Sequence, residues 1–310
     1  MPGWLARAGE ALRIGADRAD LWPAGTLAWL AYVGWLPLLL VIAPVDADAI
    51  EAFGVSVYLS QSFPLNVILL AAALVVGFAA LCLLAAAAGV SLLELAVPGV
   101  RAPSRSRTTL SAFAIVLLAS LPVVAVLLMA AYGAIAIAPS EYLSGDLHTP
   151  VLLRIAAHVL PQLAAAAAVL ILVQALAGVA LHDLVTVPGR SAIAALGAAI
   201  REMRRRPLGT IGLALVGTLV DAALLIFNVA LLGVLWGPIA IGLGDGLVSR
   251  PSTILLLLGF VAIWLGLLLA AGALHVAVSA WWALQLGERW QAPVSDPPGT
   301  VAGSQAGGPQ

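Results

Sequence analysis

The sequence predicts an all-α membrane protein: a polytopic transmembrane bundle of six helices arranged as three pseudo-repeated hairpins, with basic amphipathic helices on its cytoplasmic surface. Three observations carry that expectation. First, apolar residues make up 63% of the chain and charged residues only 9%, with a mean hydropathy of +1.10. A water-facing surface of ordinary polarity cannot be built from this composition, so lipid must solvate it. Second, several apolar runs exceed the about 20 residues that cross a hydrocarbon core, longer than a soluble core helix needs. Third, the arginines concentrate in alternate loops, the asymmetry that fixes orientation in a bilayer.

In chain order, residues 1–23 form a cytoplasmic amphipathic segment. Arg7, Glu10, Arg13, Asp17, Arg18 and Asp20 precede the first apolar run, which is unlike a cleaved signal peptide, so the first span is expected to persist. Leu5, Ala8, Leu12, Ala19 and Trp22 share a helical face, and Arg13 can pair with Asp17. The transmembrane domain occupies 24–290, with spans at about 24–43, 65–95, 109–138, 151–182, 208–241 and 252–286. At ~1.5 Å per residue the fourth would reach roughly 48 Å as a straight helix, so such spans tilt, kink or continue past the membrane surface. Pro37, Pro122, Pro161 and Pro238 are the candidate kinks. Residues 190–206 form a second surface helix: Ile193, Leu196, Ile200 and Met203 recur at helical spacing, Ser191 can cap the start, and Arg204–Arg206 suit the C-terminal end before Pro207 stops it. Such a helix contacts anionic headgroups or docks on a cytoplasmic protein. The tail, 291–310, is rich in Pro, Gly and Ser and is expected to be disordered.

Orientation follows from charge. The N-terminus, the 98–109 and 186–207 loops and the C-terminal end from Arg289 carry 12 arginines, against Arg154 and Arg250 in the opposite loops. Asp46, Asp48, Glu51, Glu141, Asp146 and Asp245 fall on the arginine-poor side, which places both termini in the cytoplasm. All 14 basic residues are Arg, a bias of GC-rich bacterial genomes, so the expected location is a bacterial cytoplasmic membrane. A net charge of −1 gives no case for nucleic acid.

Two inward spans end alike, LLELAVPGVR (92–101) and LHDLVTVPGR (181–190), and the sixth ends in ALQLGERW (283–290), where Glu288 and Arg289 stand in for acid and Arg. PAGTL (23–27) opens the first span and PLGTI (207–211) the fifth. The chain therefore reads as three hairpins, each a surface segment, a helix out and a helix in, although the second copy lacks the PxGT mark. With EMRRRPLGTIG (202–212) before a span, the six-helix layout resembles a broad group of bacterial membrane proteins that includes relatives of the membrane domain fused to some glycerophosphodiester phosphodiesterases. The sequence carries no soluble phosphodiesterase domain, so the resemblance implies neither that activity nor any site residue.

Ionisable groups at membrane depth need partners or water. Asp221 lies 14 residues beyond Pro207 and His275 lies 13 before Glu288, roughly 20 Å of helix in each case. Equal depth on antiparallel neighbours predicts that they meet. Gly217 and Asn228 fall on roughly the same face as Asp221 and extend a small, polar stripe. The pair reads either as interhelical glue or as part of a proton or ion pathway. At the inner boundary Glu94, His182 and Asp183 stand at helix C-termini, where the dipole disfavours an acid, so Arg101, Arg190 and Arg201 are the expected partners. A metal or substrate site there is the minority alternative. Gln162 and Gln174 suit interhelical hydrogen bonds.

His148 and His158 are spaced too widely for a helical metal pair. GVLWG (233–237) and GLGDG (242–246) lack the strand–loop–helix setting of a phosphate cradle. The single cysteine, Cys82, has no partner for a disulfide or a thiolate metal site. No HExxH, GxSxG or Walker sequence is present. The sequence thus predicts no catalytic, metal or cofactor residues. The first expectation is a non-enzymatic scaffold or accessory component with a membrane or cytoplasmic protein partner. The alternative is a transporter or permease subunit built on the intramembrane Asp/His pair.

Overall fold

The computed structural model describes residues 2–42, 52, 55–96, 104–144, 149–244 and 251–290. Most of these are helical, and no strand occurs among them. The elements are α1 (Pro2–Asp17), a 3-10 turn (Ala19–Leu21), α2 (Trp22–Trp29), a π turn (Leu30–Gly34), α3 (Leu36–Ile42), α4 (Leu65–Ala96), α5 (Arg105–Tyr142), α6 (Val151–Thr186), α7 (Ala192–Arg205), α8 (Pro207–Gly244) and α9 (Pro251–Trp290). Helices α4, α5, α6, α8 and α9 are long and apolar enough to cross a membrane, and the bent pair Ala19–Gly34 and Leu36–Ile42 makes a sixth span if counted as one. The architecture is that of a multi-pass membrane protein. Between 6% and 28% of each long helix's most apolar stretch is buried inside the protein, so most of these apolar side chains need cover from outside the chain, by lipid or by a partner's helices.

The first span is broken by 49°. The sequence places the kink candidate at Pro37, but the break falls at Trp35, between Gly34 and Leu36, after a π turn that inserts an extra residue into the hydrogen-bond ladder. Pro37 sits in the opening turn of α3, where its missing N–H costs nothing. By contrast α5 continues through Pro122, α6 through Pro161 and α8 through Pro238.

Consecutive spans pack on each other: α2 on α4, α5 on α6 and α8 on α9. Yet α2 packs more extensively on α9 than on α4, and α1 also lies along α9. Small residues allow this. A Cβ at Gly25 would overlap the carbonyl oxygen of Gly272, and one at Gly272 would lie 2.8 Å from the Trp22 carbonyl. With no side chain between them the backbones meet, and the Thr26 hydroxyl donates to the Leu268 carbonyl at 3.2 Å. Below the crossing, Trp4 meets Trp281 edge to face at 4.6 Å and Arg7 donates to Gln285 at 3.0 Å. The two PxGT copies therefore serve differently, because Thr210 returns its hydroxyl to the Arg206 and Pro207 carbonyls of its own turn.

A second core joins α4, α5, α6 and α7, where Ala86, Val90, Ala112, Ile115, Ala180 and Ala195 are fully buried. Ser191 caps α7 by accepting from the Ala194 N–H. The helix buries its alanines, Ala195, Ala198 and Ala199, packs Leu196 against the bundle core and leaves Ile193 and Ile200 exposed. On α1 Leu5 and Leu12 are likewise exposed, and Arg13 lies 3.9 Å from Asp17.

Candidate functional site

Asp221 on α8 and His275 on α9 lie together, with Nδ1 of the imidazole 3.9 Å from the nearer carboxylate oxygen. That separation suits an ion pair but is too long for a hydrogen bond, and His275 Nδ1 has no hydrogen-bond partner. The side chains are 22% and 16% exposed, respectively. What opens the space is a partly open cavity of about 120 Å³ lined by residues of α2, the π turn, α4, α6, α8 and α9. Its polar lining is Tyr32, Gln174, Asp221, His275 and Ser279, and neither Arg nor Lys contributes. At ~30 Å³ per water in the liquid, it holds about four waters or a small polar group.

Each element has a reason to be there. Gly217, one turn before Asp221, opens the α8 wall. Thr218, beside it, donates to the Gln174 side-chain carbonyl at 2.7 Å, which fixes α8 against α6. Tyr32 arrives from the π turn, and its ring lies 6.2 Å from that of His275, so the irregular backbone of the first span delivers a phenol to the site. Asn228 is not part of the cavity lining. It is 2% exposed and its amide donates to the Leu224 carbonyl at 2.7 Å, satisfying itself within α8. Gln162, the other glutamine of α6, has a buried side-chain oxygen without a partner.

No family model, curated protein or solved structure matches the chain.

At the end of α6 the boundary residues divide. Asp183 is 1% exposed in its side chain and accepts from Arg190 Nε at 2.8 Å, while its other oxygen has no hydrogen-bond partner. Gly189 makes this pair by adopting φ +74°, the left-handed turn that brings the chain back under the helix end. His182 is 2% exposed and neither ring nitrogen is hydrogen-bonded, which marks a packed side chain and not a partner of Arg190. Arg190 and Arg201 line a separate cavity of about 280 Å³ with Glu202 and Arg205. Glu94 is half-buried at the end of α4. Arg101, the first Val-Pro-Gly, His148 and the side chains of Glu288 and Arg289 lie outside the described residues. Among the described residues no group of three or more His, Cys, Asp or Glu is placed to hold a metal ion.

At the opposite end of the bundle, Arg154 bonds Glu141 at 2.8 Å, with the two side chains 12% and 14% exposed, and also donates to the Thr149 and Glu141 carbonyls. His158 stands 3.6 Å from the same carboxylate. This arginine, an exception to the charge bias, thus clasps α5 to α6.

Sequence reasoning did not reach Tyr32, Thr218 or Ser279. A tyrosine near a span end reads as an interfacial aromatic, and a hydroxyl in a span usually bonds its own helix, so neither residue type announces a cavity.

Proposed function

We propose that the chain is a transporter or permease subunit of a bacterial cytoplasmic membrane, with both termini inside, and that the Asp221–His275 chamber is its substrate or coupling-ion site. One observation carries the reading: a carboxylate and an imidazole at membrane depth face a cavity with water-sized room instead of a packed, dry interface. A pair serving only as glue closes to hydrogen-bond distance, because leaving polar atoms unsatisfied away from water is costly. The chamber lies where α2, α4, α6, α8 and α9 converge, as expected of a pathway between helices.

The test is uptake into proteoliposomes under an imposed proton or cation gradient. Wild-type protein is expected to carry flux that Asp221→Asn abolishes while folding normally. Flux equal in the variant, or absent from both, overturns the reading.

A second reading, a scaffold or accessory subunit, is favoured by one feature. Residues 67–77 of α4 are exposed all round, a stretch that a partner's helices could cover. Recovery of the protein only as a stoichiometric complex, with no flux of its own, favours that reading.

A further inference from the structure

A second, larger cavity of about 340 Å³ abuts the polar chamber and shares Tyr32, Ala85, Gln174 and Ala177 with it. The two are stacked along the bundle. On α6 the polar chamber spans residues 174–181 and its neighbour 170–177; on α4 the ranges are 85–93 and 78–85. On the first span the polar chamber takes Ala28 and Tyr32, the neighbour Ala31, Tyr32 and Trp35. All three steps run in the same sense, away from α1. The second chamber is apolar except at Ser120, Cys82 and the shared Tyr32 and Gln174, with walls such as Phe78, Val116, Ala119 and Leu127. Neither chamber is lined by an arginine or lysine, and Asp221 is the one acid in the linings.

From this stacking we propose that the two chambers form one binding site for a cationic amphiphile, a molecule with a protonated amine head and an alkyl or aryl body. The inference rests on the chamber being a substrate site, as proposed above, and adds the substrate class. The head lies at Asp221, beside His275. Their facing atoms are 3.9 Å apart and His275 Nδ1 is buried, so the ammonium donates to the Asp221 carboxylate from the chamber side, where the imidazole also forms part of the wall. The body passes between Tyr32 and Gln174, which line both chambers, and fills the apolar chamber. With a methylene close to a water in size, at ~30 Å³, that chamber takes a chain of about ten carbons. An anionic amphiphile of the same shape is disfavoured because its head would face the Asp221 carboxylate, with no arginine or lysine in either lining to offset the repulsion.

The experiment is quenching of tryptophan fluorescence by ω-bromodecylamine, with ω-bromodecanoate as the control, on the full chain in nanodiscs. Trp35 lines the apolar chamber and reports the bromine. Saturable quenching by the amine is expected, with a half-saturation concentration at least tenfold lower than for the carboxylate. Asp221→Asn raises the amine's value about tenfold, Ala119→Phe fills the apolar chamber and removes binding, and Trp35→Phe removes most of the amplitude. Equal quenching by amine and carboxylate, or an amine value unmoved by both Asp221→Asn and Ala119→Phe, overturns the proposal. Should Asp221→Asn fail to fold, the Ala119→Phe and Trp35→Phe arms decide alone. Amine binding without uptake upholds the site and removes the transport reading; uptake of small cations without amine binding does the reverse.

Discussion

Gly25→Ala is expected to loosen the joint that places Tyr32 and His275 in one chamber. The added Cβ overlaps the Gly272 carbonyl oxygen and lies 2.8 Å from Val276 Cγ2. Since the first of these is backbone, no side-chain rotation relieves it, and α2 and α9 must separate by about 1 Å, enough to forfeit a quarter to a half of each dispersion contact across the seam. Leu21, Ala28, Trp29, Leu268, Ala271 and Val276 are the buried apolar residues that lose packing. Overpacking of this kind costs about 1–3 kcal/mol, and a backbone obstacle puts Gly25→Ala at the upper end. The comparison is Gly77→Ala on α4, where a Cβ meets nothing within 4 Å and helix propensity alone makes the change favourable by up to about 1 kcal/mol. Equilibrium unfolding in mixed micelles measures both. Opposite signs are expected, and a Gly25→Ala midpoint equal to that of Gly77→Ala refutes a close crossing of α2 and α9.

Other changes test the fastenings. Arg190→Ala strands the buried Asp183 carboxylate and is expected to cost about 3–5 kcal/mol, most of it recovered when Asp183→Asn is added; additivity in that double-mutant cycle argues against the pair. Arg154→Ala is expected to destabilise by a similar amount and to raise hydrogen exchange at the adjoining ends of α5 and α6, whereas Arg13→Ala, whose partner is as exposed as itself, changes stability by under about 1 kcal/mol. Thr218→Val removes one interhelical hydrogen bond, worth about 0.6 kcal/mol in such bundles, so a loss above about 2 kcal/mol means that the Thr218–Gln174 contact holds more than itself.

The long helices are legible in the sequence because length and apolar content are enough to define them: Leu65–Ala96, Val151–Thr186 and Pro251–Trp290 begin within one residue of where the apolar runs do. The proximity of Asp221 and His275 is legible too, since counting residues from Pro207 and Glu288 sets them level on antiparallel neighbours, and they lie 3.9 Å apart. Rotation about a helix axis is not. A span apolar on every face gives no signal of which side meets protein, so nothing in the sequence distinguishes Asp221, which faces the chamber, from Asn228, which turns its amide to its own backbone. The approach of α2 to α9 is also hidden, because Gly25 and Gly272 are 247 positions apart and two of 30 glycines. The π turn that delivers Tyr32 has no local sequence mark, being set by the packing around it. Charge asymmetry could report sidedness, but it treats Arg154 as an exception where the packing makes it the partner of Glu141.

Whether water and ligands reach the polar chamber in the folded protein is best read from a single thiol. With Cys82, the chain's one cysteine, replaced by alanine, Ser279→Cys puts a thiol on the wall shared with Asp221 and His275. In proteoliposomes it is expected to react with a membrane-impermeant thiosulfonate from one side only, and to be protected by ω-bromodecylamine. A thiol that stays unreactive from both sides until the protein is denatured means that the chamber is closed and dry, and contradicts a binding site at Asp221 and His275.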